Sequence, residues 1–264
     1  MRRLRVVLVA ALGLAAVPAL ADAPERVPFV ATPEEAVERM LALAAVEPRD
    51  LVIDLGSGDG RIVIAAARRG ARAVGIEIEP RLVALSRENA RRAGVSDRVE
   101  FVEADVRHVD LRRASVITVY LLPSLMDQLQ PRFLTELAPG TRIVSHAFTM
   151  GGWKPDRSET VRLGRAVPGL GDETRIHLWL VPADVRGVWR APGWRLRVAQ
   201  NFQEIEIEAE HAGRRLALRE ARLEGAELRF AADDLRFRGR VEGRRLAGTL
   251  ARGAAAESVE FRRD

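Results

Sequence analysis

Three carboxylates and three glycines in this chain are spaced as a nucleoside-binding set. Asp54 stands just ahead of Gly56, Gly58 and Gly60, which form a G-x-G-x-G turn. Glycines allow unusual φ values and let a ligand touch bare backbone. Glu77 follows about twenty residues after Gly56, where a carboxylate meets ribose hydroxyls in nucleotide-binding α/β domains. Asp105, just after Ala104, is placed to accept from an adenine amino group. Dinucleotide binders space their glycines G-x-G-x-x-G instead, and a pyrophosphate would be repelled by Asp54 and Asp59 beside the turn. The set suits a ligand with a cationic part.

Such residues work only if the chain holds them along one edge. Leu51, Val52, Ile53 and Leu55 read as a buried parallel strand, and residues 61–68 as a helix leaving the glycine turn. That helix offers unpaired N–H groups and a positive dipole end at its start. Residues 73–77, 99–105, 114–120 and 141–147 read as four more strands. Helices are expected over 81–93, ending at Gly94, and from a Ser124 cap through Met126, Leu129, Phe133 and Leu137. Ahead of the first strand, Thr32, Pro33 and Glu35 predict a capping box opening a helix with Val37, Met40, Leu41 and Ala44 inward. Residues 159–163 and 174–181 add a hairpin-like pair. The fold class expected is α/β, a doubly wound seven-stranded sheet of strand–helix units, with a small antiparallel β domain after it. Gly56, Glu77, Asp105, Tyr120 and His146 all fall at carboxyl ends of strands, where doubly wound sheets bind ligands.

The run Asp54-Leu-Gly-Ser-Gly-Asp-Gly60 with Glu77 and Asp105 resembles class I S-adenosylmethionine-dependent methyltransferases, over residues 27–182. That resemblance implies a Rossmann-like sheet and S-adenosyl-L-methionine as cofactor. Its contacts would be Asp54, Gly56, Ser57, Gly58, Gly60, Glu77, Ile78, Ala104 and Asp105, with Asp54 facing the amino-acid part. Tyr120-Leu-Leu-Pro123, the run from Leu137 to His146, Pro28-Phe-Val-Ala-Thr-Pro33 and Gly58-Asp-Gly-Arg61 narrow it. They are similar to the protein-lysine methyltransferases related to the enzyme that modifies the ATP synthase c subunit. Phe29 and Ala31 depart from that group's opening. The narrower resemblance implies a protein substrate with an accessible lysine, Tyr120 touching the acceptor amine and Pro123 shaping the rim. An aromatic ring can face a cation, and a desolvating pocket lowers an ammonium pKa. His146 is expected to be structural. Trp153 either covers the acceptor groove or anchors its loop. A small-molecule or lipid acceptor is an alternative, as is a non-catalytic exported binding module with this fold.

The remaining chain shows no second chemistry. From residue 184 apolar and charged residues alternate between glycine turns at Gly213, Gly225 and Gly243, predicting a β-meander, sandwich or partial barrel with one wet face. The formal charge is +5, and Arg2, Arg3 and Arg5 in the first residues supply much of it. Acids and bases interleave elsewhere, so no nucleic-acid partner is expected. There is no cysteine, and the four histidines show no metal-ligand spacing, so no metal is expected. Met1 to Arg5, the apolar run from Val6 to Val17 and Ala19-Leu20-Ala21 read as a signal peptide. The expected division is a signal peptide at 1–21, a linker at 22–30, the methyltransferase domain at 31–183 and the β domain at 184–264. Export to the periplasm or cell envelope follows, with a membrane anchor of uncleaved leader as the alternative. A membrane-associated substrate fits either. The pattern specifies no oligomeric state.

Overall fold

The computed structural model describes residues 29–167 and 171–264; the expected signal peptide, and the linker as far as residue 28, lie outside the described residues. Seven strands form one mixed sheet: β1 (Leu51–Leu55), β2 (Arg72–Glu77), β3 (Val99–Glu103), β4 (Val116–Val119), β5 (Arg142–His146), β6 (Arg157–Val167) and β7 (Gly171–Leu180). Their order is β3-β2-β1-β4-β5-β7-β6. The first five are parallel, and β7 runs antiparallel between β5 and β6. Chain order reverses between β1 and β4, so the sheet opens a crevice beyond their carboxyl ends.

Helices α1 (Glu34–Leu43), α2 (Arg61–Arg68) and α3 (Pro80–Arg92) cover one face, burying Met40, Leu41, Ile62, Val63 and Val83 against Val52, Ala73, Val116 and Val144. Among the described residues the other face carries one helix, α4 (Pro123–Glu136), whose Met126, Leu129 and Phe133 pack on Ile53, Leu55, Ile117 and Ile143. The expected regular alternation is corrected here. The β3–β4 connection forms turns without a helix, and Leu111, Met150 and Trp153 fill the missing layer.

Two expected caps are also corrected. Thr32 makes no cap bond to α1; its hydroxyl lies 3.3 Å from His146 Nδ1. Glu35 accepts from the Gly164 N–H at 2.9 Å rather than closing a capping box. Ser124 does not cap α4, because Pro123 holds the first helical position and Leu122 stands ahead of it. The Thr32 and Glu35 side chains are drawn off by partners distant in sequence.

Nine further strands make an antiparallel sheet: β8 (Gly187–Ala191), β9 (Trp194–Asn201), β10 (Glu204–His211), β11 (Arg214–Leu216), β12 (Arg219–Glu224), β13 (Glu227–Ala232), β14 (Leu235–Glu242), β15 (Arg245–Arg252) and β16 (Ala255–Arg263). Their order is β11-β10-β9-β8-β16-β15-β14-β13-β12. Laid flat, nine strands would span about 38 Å. Yet β11 and β12 sit at opposite edges while only residues 217 and 218 separate them. The sheet must therefore curl until its edges nearly meet. Trp189, Trp194, Leu196, Phe230, Phe237 and Phe261 fill the curl, and β14 alternates strictly between buried and exposed positions. Sequence alternation left β8, β12 and β16 unassigned. Strand β16 is mostly exposed, and β12 carries an irregularity between Arg219 and Arg222 with Glu220 at φ 57.

The two sheets are locked together. Ala31–Asp264 forms one compact unit. The Trp153 ring stacks on Phe202 in the β9–β10 turn, with centroids 5.7 Å apart and planes 9° apart, and its Nε1 donates to Gln203 at 2.9 Å. Gly225 lies so near Gly140 that a Cβ there would come within 2.8 Å of the Gly140 Cα. Of the two expectations for Trp153, these contacts support anchorage of its loop. The ring is 1 % exposed beneath the second domain.

Candidate active site

Register fixes what stands beside what. Leu55 lies opposite Ile76 on one side and Val119 on the other, Glu77 opposite Glu103, and Val119 opposite Ser145. The residues that follow therefore line up along the carboxyl edge as Asp105, Glu77, Gly56, Tyr120 and His146. The first three were the expected nucleoside side, and the last two the acceptor side.

The glycine turn is tightly built. The N–H groups of Gly56 and Ser57 both donate to Ile76 O at 2.9 Å, and Gly60 N–H donates to Ser57 O at 2.9 Å. Gly56, Gly58 and Gly60 have φ values of 80°, 54° and 83°, a region side chains rarely adopt. A Cβ at Gly56 would meet Leu121 at 2.8 Å, and one at Gly60 would meet Ser86 at 2.7 Å. Ser57 contributes backbone only. Its hydroxyl is buried without a partner and packs over Gly75.

Glu77 braces the turn from below. One carboxylate oxygen accepts from Gly58 N–H at 2.8 Å and the other from Glu79 N–H at 3.0 Å. A carboxylate offers about four lone-pair sites, so two remain for hydroxyls. Ile78 is 47 % exposed beside it, an apolar surface at the same edge. Ala104 N–H donates to Glu77 O at 3.0 Å, tying β3 to that edge. Asp105 accepts from Arg107, with a closest approach of 2.6 Å, and the guanidinium lowers its pKa. An adenine amino group would share that carboxylate with Arg107.

Asp54 is buried behind the turn and accepts from the Thr118 hydroxyl at 2.7 Å. Burial pushes its pKa up to about 7 despite that bond, and the charges of Glu77 and Asp59 add to the rise. The folded state keeps a proton that the unfolded state, near 3.8, has lost. Stability therefore falls as pH rises through the folded pKa. Asp54→Asn should melt with wild type near about pH 4 and be the more stable protein at about pH 8, read by paired thermal melts. A pH-independent difference between the two would show that Asp54 is ionised in the fold.

Sequence reading passed over two residues here. Arg61 donates to Asp59 at 2.6 Å and to Thr32 O at 2.8 Å, clamping the glycine turn to the segment before α1. Asn89 donates to Asp59 O at 2.9 Å from α3. The only signal was Arg61 directly after the last glycine.

On the acceptor side Tyr120 is half-buried, and burial raises its pKa. Its ring lies 4.1 Å from that of His146. His146 is 0 % exposed, with Nδ1 3.3 Å from Thr32 Oγ1 and Nε2 2.9 Å from Thr174 Oγ1. Burial lowers its pKa to about 4, so at neutral pH it is an uncharged prop under Tyr120. Pro123 is exposed at the head of α4. No cluster of acids and histidines able to hold a metal occurs among the described residues. A cavity of about 500 Å³ opens at the amino ends of β1 to β3, between Arg72, Arg98, Asp97 and Glu100, on the edge away from these groups.

Comparison with known proteins agrees with this edge. Residues 54–157 match the ANTKMT methyltransferase domain. Over 131 residues the chain is 44 % identical to a protein-lysine N-methyltransferase of Saccharolobus islandicus, covering 49 % of this chain and 81 % of that protein. It is 42 % identical to the mouse adenine nucleotide translocase lysine N-methyltransferase, over 49 % of this chain but 57 % of that protein. The chain thus spans little more than half of the mouse relative. A Salinibacter ruber structure, described as an RNA methyltransferase with S-adenosyl-L-homocysteine, is 48 % identical, covers 59 % of this chain and 96 % of that one, and superposes with a TM-score of 0.53. By the shared sequence and the shared sheet, the chain belongs to the S-adenosylmethionine-dependent protein-lysine methyltransferases.

Proposed function

We propose that this protein transfers a methyl group from S-adenosylmethionine to a lysine amine of a protein. The observation that carries it is the continuous edge from Asp105 through Glu77 and Gly56 to Tyr120, in a chain so similar to a protein-lysine N-methyltransferase. When bound, S-adenosylmethionine supplies a methyl group already activated on a sulfonium. The glycine turn fits such a group, since the two positions where a Cβ would clash keep backbone open there. Glu77 has lone pairs left for ribose hydroxyls, and Ile78 offers an apolar surface to a base. A cationic part brought near Asp54 would favour its ionised form. The Tyr120 hydroxyl accepts from the incoming amine, and its partly buried setting favours the neutral amine, the form able to react. Catalysis here is chiefly positioning.

An RNA acceptor is the reading that the S. ruber description favours. Against it, two arginines beside the glycine turn and the end of β3, Arg61 and Arg107, are engaged by Asp59 and Asp105. The leader supports export, and so a protein substrate in or on the envelope membrane, with an uncleaved anchor as the other form. Among the described residues no helix is long and apolar enough to cross a membrane.

The test incubates purified protein with methyl-labelled donor and either envelope extract or total RNA, and sequences the mature N-terminus. Label in protein lysine is expected. Tyr120→Phe should cut turnover about tenfold, the worth of one hydrogen bond, with donor affinity unchanged. Label confined to RNA or to small molecules would overturn the acceptor. No heat with S-adenosylmethionine in calorimetry would leave an inert binding module.

A further inference from the structure

The outer face of the second sheet gathers arginine on one half. Register places Arg222, Arg229 and Arg238 directly opposite one another across β12, β13 and β14. Arg236 and Arg240 flank Arg238 along β14, on the same face by alternation. Opposed like charges destabilise a sheet, so pairing alone gives no reason for three arginines abreast. Three carboxylates stand among these five arginines. Glu224 serves both Arg222 and Arg229, Glu227 holds Arg238 at 2.8 Å, and Glu242 lies 3.9 Å from Arg240. Arg236 has no ion-pair partner among the described residues, and its cross-strand neighbours are Ala231 and Ala251. Two positive charges are therefore left over. The other half of the sheet differs. There Arg190, Arg195, Arg197 and Arg215 are matched by Glu204, Glu206, Glu208 and Glu210.

We infer that this arginine face docks on an anionic phospholipid surface. The guanidinium fork meets phosphate oxygens two at a time. Beside the arginines lie only small neutral side chains, Ala231, Ala247, Thr249, Ala251 and Ser258, so the guanidinium groups stand highest. The face is the outside of a curled sheet and wraps around no small anion. It offers a nucleic acid nothing to stack on, because Phe230, Phe237 and Phe261 all point into the curl. A plane of repeated phosphates fits it instead. The inference stands apart from the choice of methyl acceptor.

The test sediments purified protein with phosphatidylcholine vesicles, with and without phosphatidylglycerol. Wild type should prefer the anionic vesicles, and added salt should release it. Arg236→Gln, Arg238→Gln and Arg240→Gln combined should weaken that binding about a hundredfold. Arg238 and Arg240 are 69 % and 62 % exposed, so the melting temperature should not change. Arg190→Gln, Arg197→Gln and Arg215→Gln combined remove the same charge from the other half and should cost far less. All three proteins share the same chain ends, so their differences read the face alone. Equal losses in the two variants, or a β14 variant that binds like wild type, would overturn the docking face. Release by soluble glycerol phosphate would reassign it as a small-anion site, and tighter binding to RNA at the same salt would reassign it to nucleic acid; both would overturn the lipid partner.

Discussion

Gly60→Val should lose donor affinity by at least about a hundredfold, or about 2.7 kcal/mol of binding. It should also destabilise the fold by about 3 kcal/mol, because strain and overpacking act together. Gly60 closes the glycine turn at φ 83°, and the Cβ of a replacement would lie 2.7 Å from Ser86 Cβ and 2.8 Å from Phe101 Cζ. Both neighbours are buried, so neither can yield without moving α3 or β3. The backbone has to shift instead, and it carries the donor cradle with it. Gly94→Ala is the control. Gly94 also has a positive φ, of 68°, but nothing lies within 4 Å of its would-be Cβ. That change should cost about 1 kcal/mol and leave donor binding untouched. Urea unfolding and calorimetry with S-adenosylmethionine and S-adenosylhomocysteine read both quantities. Tight donor binding by folded Gly60→Val would place the donor elsewhere.

Trp153→Ala should have the largest effect on stability, about 3–5 kcal/mol for a fully buried tryptophan. The ring joins two parts of the molecule, the β9–β10 turn and the α4-side core. It stacks on Phe202, donates to Gln203, and lies among the α4-side residues that include Trp179. Trp179 in turn donates to Trp153 O at 2.8 Å. Truncation leaves a cavity at the junction of two sheets, each with its own core. Unfolding should separate into two transitions. Limited proteolysis should cut first near residues 181–186, between β7 and β8. A single transition at the wild-type midpoint would mean that the two sheets are coupled through other contacts, such as the Gly140–Gly225 approach.

Local pattern determined much of this protein. Apolar runs ending in glycine or acid placed β1, β2 and the helix between them, and through them Gly56, Gly58, Gly60 and Glu77. These elements are short-range and obey a fixed period, so their residues state their own geometry. Alternation likewise announced antiparallel strands with one wet face, leaving meander, sandwich and partial barrel open, but not β8, β12 or β16, where the buried face is interrupted. Tertiary structure alone decided the rest. Thr32 reads as a helix cap until the fold brings His146 within reach. Trp153 reads equally as a groove cover or a loop anchor until the β9–β10 turn closes over it. Side chains whose partners lie close in sequence were legible there; those whose partners arrive through sheet register or domain docking were not, since pairing across such distances is a property of the folded whole.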